Sequence, residues 1–451
     1  MNIVIIGAGK VGSAVAEQLA NEEHELRILD IDSEVVGFLS NSLDALVMEG
    51  DGLDADFLRE AEVDKADLVI ATMPKDEQNL TACMLAKKLG AGKTVARVRD
   101  PRHLETVRLL REDMGMSMIL NPEAASAAEI ARILRTPSAI KIDTFCKGRV
   151  ELYKVLLAQD SPLNGLPLQA LGRQHKGILI CTVERGAEEV YIPGGNFVLQ
   201  AGDRISFVAD PTAAYHFLHR IAIPVEPVKD VMIVGGGRIA YYLAKELWKV
   251  KTQVKIIEKD RDLCDKLAGD LSFASIIHGD GSDENLLREE GIDQMDAVVA
   301  LTGYDEENIL IGLHARTLSH GKIVTKINRA GFISVISELD LGSVFIPKDI
   351  ASNLVVRFVR AMQNSRGSNV ETLYRLVNGR VEALEFRVTE KFHGCGIKLM
   401  HLKTRPNLLI GAINRGGEII APGGQDSIEP GDTVVVVTTT AGLKDLDDIL
   451  E

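Results

Sequence analysis

The chain lacks any run of about 18 apolar residues, so it offers no membrane-spanning helix. It opens directly into a strand-like run, with no basic leader and no cleavage site, so no signal peptide is expected. Bases are in deficit: 51 Lys and Arg against 65 Asp and Glu leave a formal net charge of −14. That balance argues against nucleic acid as the main partner, because phosphate binding needs clustered Lys and Arg. Cysteines are few. The five, at 83, 146, 181, 264 and 395, lie far apart and form no CxxC pair. A reduced cytosolic protein without structural zinc is the simplest reading. His216 and His219 stand at helical spacing but have no carboxylate or thiol at ligand distance in sequence, so no metal site is assigned.

What the chain does have is one glycine motif written twice. Residues 7–12 read Gly-Ala-Gly-Lys-Val-Gly, and residues 235–240 read Gly-Gly-Gly-Arg-Ile-Ala. Each follows a short apolar run, and each precedes a second apolar run that ends in an acid, Asp30 or Glu258. The spacing from first glycine to acid is the same in both copies. A single such motif is weak evidence; two in register imply a duplicated nucleotide-binding unit. The repeat continues. Gly50-Asp51-Gly52 recurs as Gly279-Asp280-Gly281, and the Asp76–Asn79 quartet as Asp305–Asn308. Gly148-Arg149-Val150-Glu151 recurs as Gly379-Arg380-Val381-Glu382, and Ala201-Gly202-Asp203 faces Pro430-Gly431-Asp432. The duplication spans both halves, and the proline-bearing seam at 223–227 reads as a short extended linker.

Each half divides again. Short apolar runs at 3–6, 26–29, 45–48, 67–72 and 94–98 alternate with helical patterns such as Ser13 to Ala20 and Glu77 to Leu89. Alternation of this kind implies a parallel, doubly wound sheet. After about residue 135 the pattern becomes strand-like and turn-rich, with strands expected at 150–157, 177–183, 197–199 and 204–208, and at 381–388, 408–413 and 433–437 in the second copy. The fold class is therefore α/β: two tandem Rossmann-like parallel sheets, each followed by a small β-rich α+β lobe.

In such a motif the first glycine makes the strand-to-helix turn, the second admits a pyrophosphate, and the third packs the helix on the sheet. The helix N-terminus supplies free N–H groups to phosphate. Asp30 and Glu258 stand at strand ends, where a carboxylate can accept from ribose hydroxyls and would repel a 2′-phosphate. NAD-type or simple adenine nucleotides thus fit better than NADP. Asp51, Thr72-Met73 and Arg97 follow or end the next strands, as do Asp280, Leu301-Thr302 and Lys326 in the second half, and all are candidates for the crevice. Asp51 and Asp280 suit an Asx turn equally well. Arg97 and Arg99 alternate along an expected strand, so only one should face the crevice. The acidic quartets open helices and read as first-turn charges that complement the dipole. No group announces catalysis. A dehydrogenase needs a proton donor facing the nicotinamide, and the small lobes offer no such arrangement.

On these motifs the chain resembles the TrkA family of cytosolic regulatory subunits of bacterial and archaeal Trk potassium-uptake systems. The resemblance rests on the two glycine motifs, LREAEVDKADLVIAT at 58–72, DEQN at 76–79, VARVRDP at 95–101 and, in the second half, GDGSDENLL and ALTGYDEENI. It implies two tandem RCK units, with N-lobes at 1–120 and 228–348 and C-lobes at 137–221 and 368–451. It implies nucleotide contacts from Gly7, Ala8, Gly9, Lys10, Val11, Asp30, Met73 and Arg97, and from Gly235, Gly236, Gly237, Arg238, Ile239, Glu258, Thr302 and Lys326. The implied ligand is NAD or NADH first, with ATP or ADP as alternatives at the same sites. The implied assembly is a homo-oligomeric ring of two or four chains on the inner face of the cell membrane, docked on a membrane-embedded potassium-translocating subunit and without enzymatic activity. Two departures stand out. The family usually carries Thr-Asn after the fourth strand, where this chain has Met73-Pro74 and Thr302-Gly303. Lys326 replaces the Arg of position 97, so the halves are expected to prefer different nucleotides. The rival readings are an NAD-dependent oxidoreductase and a stand-alone redox or nucleotide sensor without a membrane partner.

Overall fold

Strand β1 (Asn2–Ile6) feeds helix α1 (Lys10–Ala20) through the first glycine loop. The lobe continues with β2 (Glu25–Asp30), α2 (Ser33–Ser42), β3 (Leu46–Glu49), α3 (Ala55–Glu60), β4 (Leu68–Ala71), α4 (Asp76–Leu89), β5 (Lys93–Arg97), α5 (Pro101–Leu110), β6 (Met118–Leu120) and α6 (Pro122–Arg135). The structure, a computed structural model, describes residues 1–451 except 21, 23, 137–138, 147–148, 175–176, 187–188, 224–227, 330–338, 340, 365–369, 378–379 and 441. The seam prolines 224 and 227, the repeated glycines 148 and 379, and the domain limits placed at 137 and 368 lie outside the described residues.

The six strands run in the order β3-β2-β1-β4-β5-β6, and every pairing is parallel. All four residues of β4 are buried, as expected for a central strand with both faces covered. Helix boundaries follow from local chemistry. Asp32 caps α2 and Asp100 caps α5, each accepting a backbone N–H two residues on, and Pro101 opens α5 where its missing N–H costs nothing. Helix α4 stops at Gly90, whose φ of 127° favours glycine.

The C-lobe that follows holds β7 (Lys141–Phe145), β8 (Val150–Leu156), α7 (Leu168–Gln174), β9 (Leu179–Arg185), β10 (Glu189–Tyr191), β11 (Arg204–Ala209) and α8 (Pro211–Arg220). Its antiparallel sheet has the order β10-β9-β11-β8-β7. Residues 197–199, expected as a strand, make only an isolated bridge between Val198 and Pro167. Leu199 is buried but Val198 is exposed, so the segment packs as a loop.

The second half repeats this plan: β12 (Asp230–Val234), α9 (Arg238–Lys249), β13 (Gln253–Glu258), α10 (Arg261–Asp270), β14 (Ser275–His278), α11 (Glu284–Glu289), β15 (Ala297–Ala300), α12 (Asp305–Leu318), β16 (Lys322–Lys326), β17 (Ser343–Phe345) and α13 (Pro347–Asn364). Then come β18 (Val370–Leu376), β19 (Val381–Arg387), β20 (Leu408–Arg415), β21 (Glu418–Ile420) and β22 (Thr433–Thr438). The sheet orders, β14-β13-β12-β15-β16-β17 and β18-β19-β22-β20-β21, match those of the first half strand for strand.

The chain forms two compact units that are not its two halves. One joins Met1–Ala131 to Val228–Val356, so it contains both parallel sheets; the other joins Arg132–Pro227 to Arg357–Glu451. Within the second unit the antiparallel sheets share a core. Phe145 meets Tyr374 edge-on at 5.0 Å, and the Tyr374 hydroxyl donates to the Thr144 carbonyl at 2.9 Å. The repeated Gly-Asp turns have a structural use: Asp203 takes a bidentate pair from Arg185, and Asp432 takes the same pair from Arg415. Among the described residues no helix is long and apolar enough to cross a membrane, and none of them form a metal-binding group of three or more His, Cys, Asp or Glu.

Candidate functional site

The glycine loops show the tight turn and the close helix packing that their spacing implies. Gly7 has φ of 92°, and a Cβ there would lie 2.8 Å from the Met73 nitrogen. A Cβ at Gly12 would lie 2.0 Å from the Gly7 oxygen, so α1 sits too close to its own loop for a side chain. At Gly9 and Gly237, by contrast, a Cβ would meet nothing within 4 Å. Packing does not demand glycine at these two places, and the space beside the backbone is open. Both carbonyls accept the first helical hydrogen bond, from Ser13 and from Tyr241. The free N–H groups of α1 and α9 therefore begin where the space is open.

The strand-end acids hold the loops in place. Asp30 accepts from the Ala8 N–H at 2.5 Å and from Asp32 N–H at 2.9 Å. Glu258 accepts from Gly236 at 2.6 Å and from Asp260 at 2.8 Å. Thr72 is buried, and its hydroxyl donates to the Gly7 carbonyl at 2.6 Å, so it braces the turn. Asp51 and Asp280 form Asx turns, accepting from Leu53 and Ser282 at 2.9 Å. The Ser282 N–H and hydroxyl hold the Asp280 carboxyl below its usual range.

The Asp76–Asn79 quartet does more than complement the helix dipole. Asn79 is fully buried. Its Oδ1 accepts from Met73 N–H at 2.7 Å, and its Nδ2 donates to the carbonyls of Met73 and Arg97, each at 3.0 Å. Asn308 makes the same clamp on Thr302 and Lys326. Asp76 accepts the N–H groups of Arg99 and Asp100, and Asp305 accepts those of Asn328 and Arg329. These side chains tie the end of the fourth strand to the end of the fifth, which the composition of the quartet alone does not reveal.

Within the unit that holds both parallel sheets, the two repeats share one cavity of about 330 Å³. The first repeat contributes Lys10, Val11, Arg97, Arg99, Pro122 and Glu123. The second contributes Gly237, Arg238, Ile239, Ala240, Leu301, Lys326, Asn328, Pro347 and Lys348. Of the candidates read from sequence, Lys10, Val11, Arg97, Gly237, Arg238, Ile239, Leu301 and Lys326 meet here. Gly7, Ala8, Gly9, Asp30, Asp51, Thr72 and Met73 build the first loop and crevice rim beside it, as Gly235, Gly236, Glu258, Asp280 and Thr302 do in the second repeat. Arg99 corrects the alternation argument. Residues two apart lie on the same face of a strand rather than on opposite ones, so Arg97 and Arg99 share a side, and both line the cavity.

The cavity is cationic in a chain that is acidic overall. Arg97 donates to the Met73 carbonyl at 2.6 Å, and burial, with Arg99 nearby, lowers its guanidinium to about 10. Burial also lowers the Lys326 ammonium, whose Nζ lies 3.3 Å from the Leu301 carbonyl. The repeats are joined at this place by Tyr242, which accepts from the Asn121 amide at 2.9 Å and donates to the Arg99 carbonyl at 3.1 Å. Glu123, Pro347 and Lys348 carry no motif, and only the superposition of the two repeats marks them.

Two Rossmann-type sheets with paired glycine crevices, each followed by an antiparallel lobe, define a tandem nucleotide-fold protein of the RCK class. The TrkA-N domain family matches residues 3–122 and 231–347, and the TrkA-C domain family matches 152–222 and 383–451. The chain belongs to the TrkA family. It is 30% identical to the Trk system potassium uptake protein TrkA homolog 1 of Methanosarcina mazei over 99% of each chain. It is 31% identical to the homolog of Archaeoglobus fulgidus over the whole of both, and 30% identical to TrkA of Haemophilus influenzae over 97% of this chain and 95% of that one. Among solved structures, the fold is similar to the GsuK channel bound to NAD, with TM-score 0.62 and 18% identity over 97% of this chain and 77% of that one.

Proposed function

We propose that the protein is a nucleotide-sensing regulatory subunit that controls potassium uptake through a membrane-embedded partner. The observation that carries this reading is the shared cavity. The N-termini of α1 and α9 both open on it, and six bases, Lys10, Arg97, Arg99, Arg238, Lys326 and Lys348, line it. Such a cavity suits phosphate groups. The open space at Gly9 and Gly237 fits a ligand that lies against the backbone. Asp30 and Glu258 each hold the loop and stand where a ribose would lie. NAD or NADH is the first choice, as with the GsuK channel structure, and ADP or ATP suits the same crevices. A nucleotide bound between two repeats changes their equilibrium only by favouring one arrangement over another. In this reading the chain works as a homo-oligomeric ring of two or four copies on the inner face of the membrane, and no chemistry is performed. The names of the curated relatives support the potassium role.

The test has two parts. Calorimetry on the full chain with NAD, NADH, ADP and ATP is expected to detect binding, with the rank order differing between the crevices. Cells lacking the protein are expected to take up rubidium poorly and to recover with the wild-type chain. Full uptake without the protein, or turnover of a hydroxy-acid panel with NAD, would count against the reading.

A further inference from the structure

The second residue of α6 and the second residue of α13 occupy the same place in the two repeats, and both line the shared cavity. One is Glu123 and the other is Lys348. Every other charged side chain of the lining is a base. Glu123 stands in that cationic field without being spent on it. Its closest guanidinium nitrogen, on Arg99, is 3.8 Å away, which is beyond a hydrogen bond. Its Oε2 is buried with no hydrogen-bond partner, and so are the Nε atoms of Arg97 and Arg99. A carboxylate present only to neutralise these arginines would bond to them directly. Burial instead pushes the Glu123 carboxyl up, although Arg99, Arg238 and Arg97 pull the other way. Burial, and then in part the charge of this carboxylate, raises the Tyr242 phenol on α9.

We propose that Glu123 and Lys348 are a charge-inverted pair that sets nucleotide specificity, Glu123 limiting the negative charge the cavity accepts from ligand phosphates and Lys348 favouring a longer phosphate chain. The proposal rests on the nucleotide reading above and addresses the choice between a nucleoside diphosphate and a triphosphate. An added phosphate brings charge toward a carboxylate that water screens poorly, so the penalty grows with each unit of ligand charge. The same phosphate gains from an ammonium at the equivalent position.

Calorimetry on the full chain with ADP and ATP tests this, in EDTA so that no divalent ion bridges carboxylate and phosphate. At about pH 8, Glu123→Gln is expected to tighten ATP about tenfold and ADP about twofold. Lys348→Gln is expected to weaken ATP more than ADP, which moves the ratio the other way. Glu123→Asp keeps the charge and is expected to keep the wild-type preference. As the pH is lowered, the wild-type ratio should climb toward that of Glu123→Gln, whose own profile reports only the protonation of the ligand. Thermal denaturation checks that each variant is folded. If ATP binding weakens in Glu123→Gln, or the ratio is the same in both Gln variants, the charge-selection proposal is overturned while the nucleotide reading stands. If wild type binds neither ADP nor ATP, the proposal is also overturned, and binding of NAD in that case preserves the nucleotide reading.

Discussion

The Asp30 carboxylate holds the Ala8 N–H at 2.5 Å, so the end of β2 is fastened to the glycine loop before any ligand is considered. This gives one residue two separable effects. Asp30→Ala is expected to lower stability by about 1–3 kcal/mol, the scale for a charge-assisted hydrogen bond, and to weaken adenine-nucleotide binding in the first crevice by a similar amount. Asp30→Asn retains an acceptor and should recover most of the stability but not the affinity. Thermal shift and calorimetry on both variants check this. Unchanged nucleotide affinity in Asp30→Ala would remove the ribose role and leave only the anchor.

Asn79 and Asn308 make matching predictions in the two repeats. Asn79→Ala leaves the Met73 and Arg97 backbone groups without their partners in a buried place. The expected cost is about 1–3 kcal/mol for a buried group left unsatisfied. Because the clamp also fixes the end of β5, binding in the first crevice should weaken while the second is spared. Asn308→Ala should do the reverse. Thermal shift with and without nucleotide reads both effects, and an equal loss at both crevices would refute the local clamp.

The glycines separate packing from binding. Gly12→Ala forces a Cβ against the Gly7 carbonyl and should destabilise the fold. Gly9→Asp places a good helix cap in open space, so stability should hold or rise slightly. Its charge would oppose phosphate at the helix N-terminus, so nucleotide binding and rubidium uptake should both be lost. Uptake restored in full by a folded Gly9→Asp chain that binds no nucleotide would show that the first crevice has no regulatory part.

Glu123 also predicts a pH dependence of stability. Burial raises its carboxyl above the ordinary value of 4.5, so the folded chain holds this proton more tightly than the unfolded chain. The stabilisation from the proton is full below the ordinary value and is lost as the pH rises through the raised one. Glu123→Gln carries no such loss. The variant should therefore melt higher than wild type near neutral pH, and the gap should close as the pH falls below about 4.5. Melting curves across that window decide it, and a variant that is less stable at pH 7 would contradict the sign.

Much of this architecture can be read from local pattern. Apolar runs locate the first five strands of the first parallel sheet to within a residue or two at either end, and the glycine spacing locates α1 and α9. The exceptions have physical causes. Residues 197–199 look like a strand but pack as a loop, because their backbone pairing is limited to one bridge with residues 165–168. Strand β7, KIDTF, has little apolar signal to mark it. Arg99 joins Arg97 in the cavity because residues two apart share a face. Asn79 reads as a helix-start residue because its partners, Met73 and Arg97, are brought to it only by the sheet. The pairing of the two repeats around one cavity has no local signature: Glu123 and Lys348 are 225 residues apart, and neither lies in a motif.

The join at that cavity has a further consequence. When two identical chains meet across a twofold axis, every contact occurs twice with the roles exchanged, and any change in charge is made on both sides at once. Here both partners belong to a single polypeptide, so one side can change while the other keeps its ancestral character. A carboxylate and an ammonium at one equivalent position are open to a fused pair and closed to a symmetric one. Covalent duplication thus turns a mirror-like contact into a polar one, with a direction along which signals from the two crevices need not be equal.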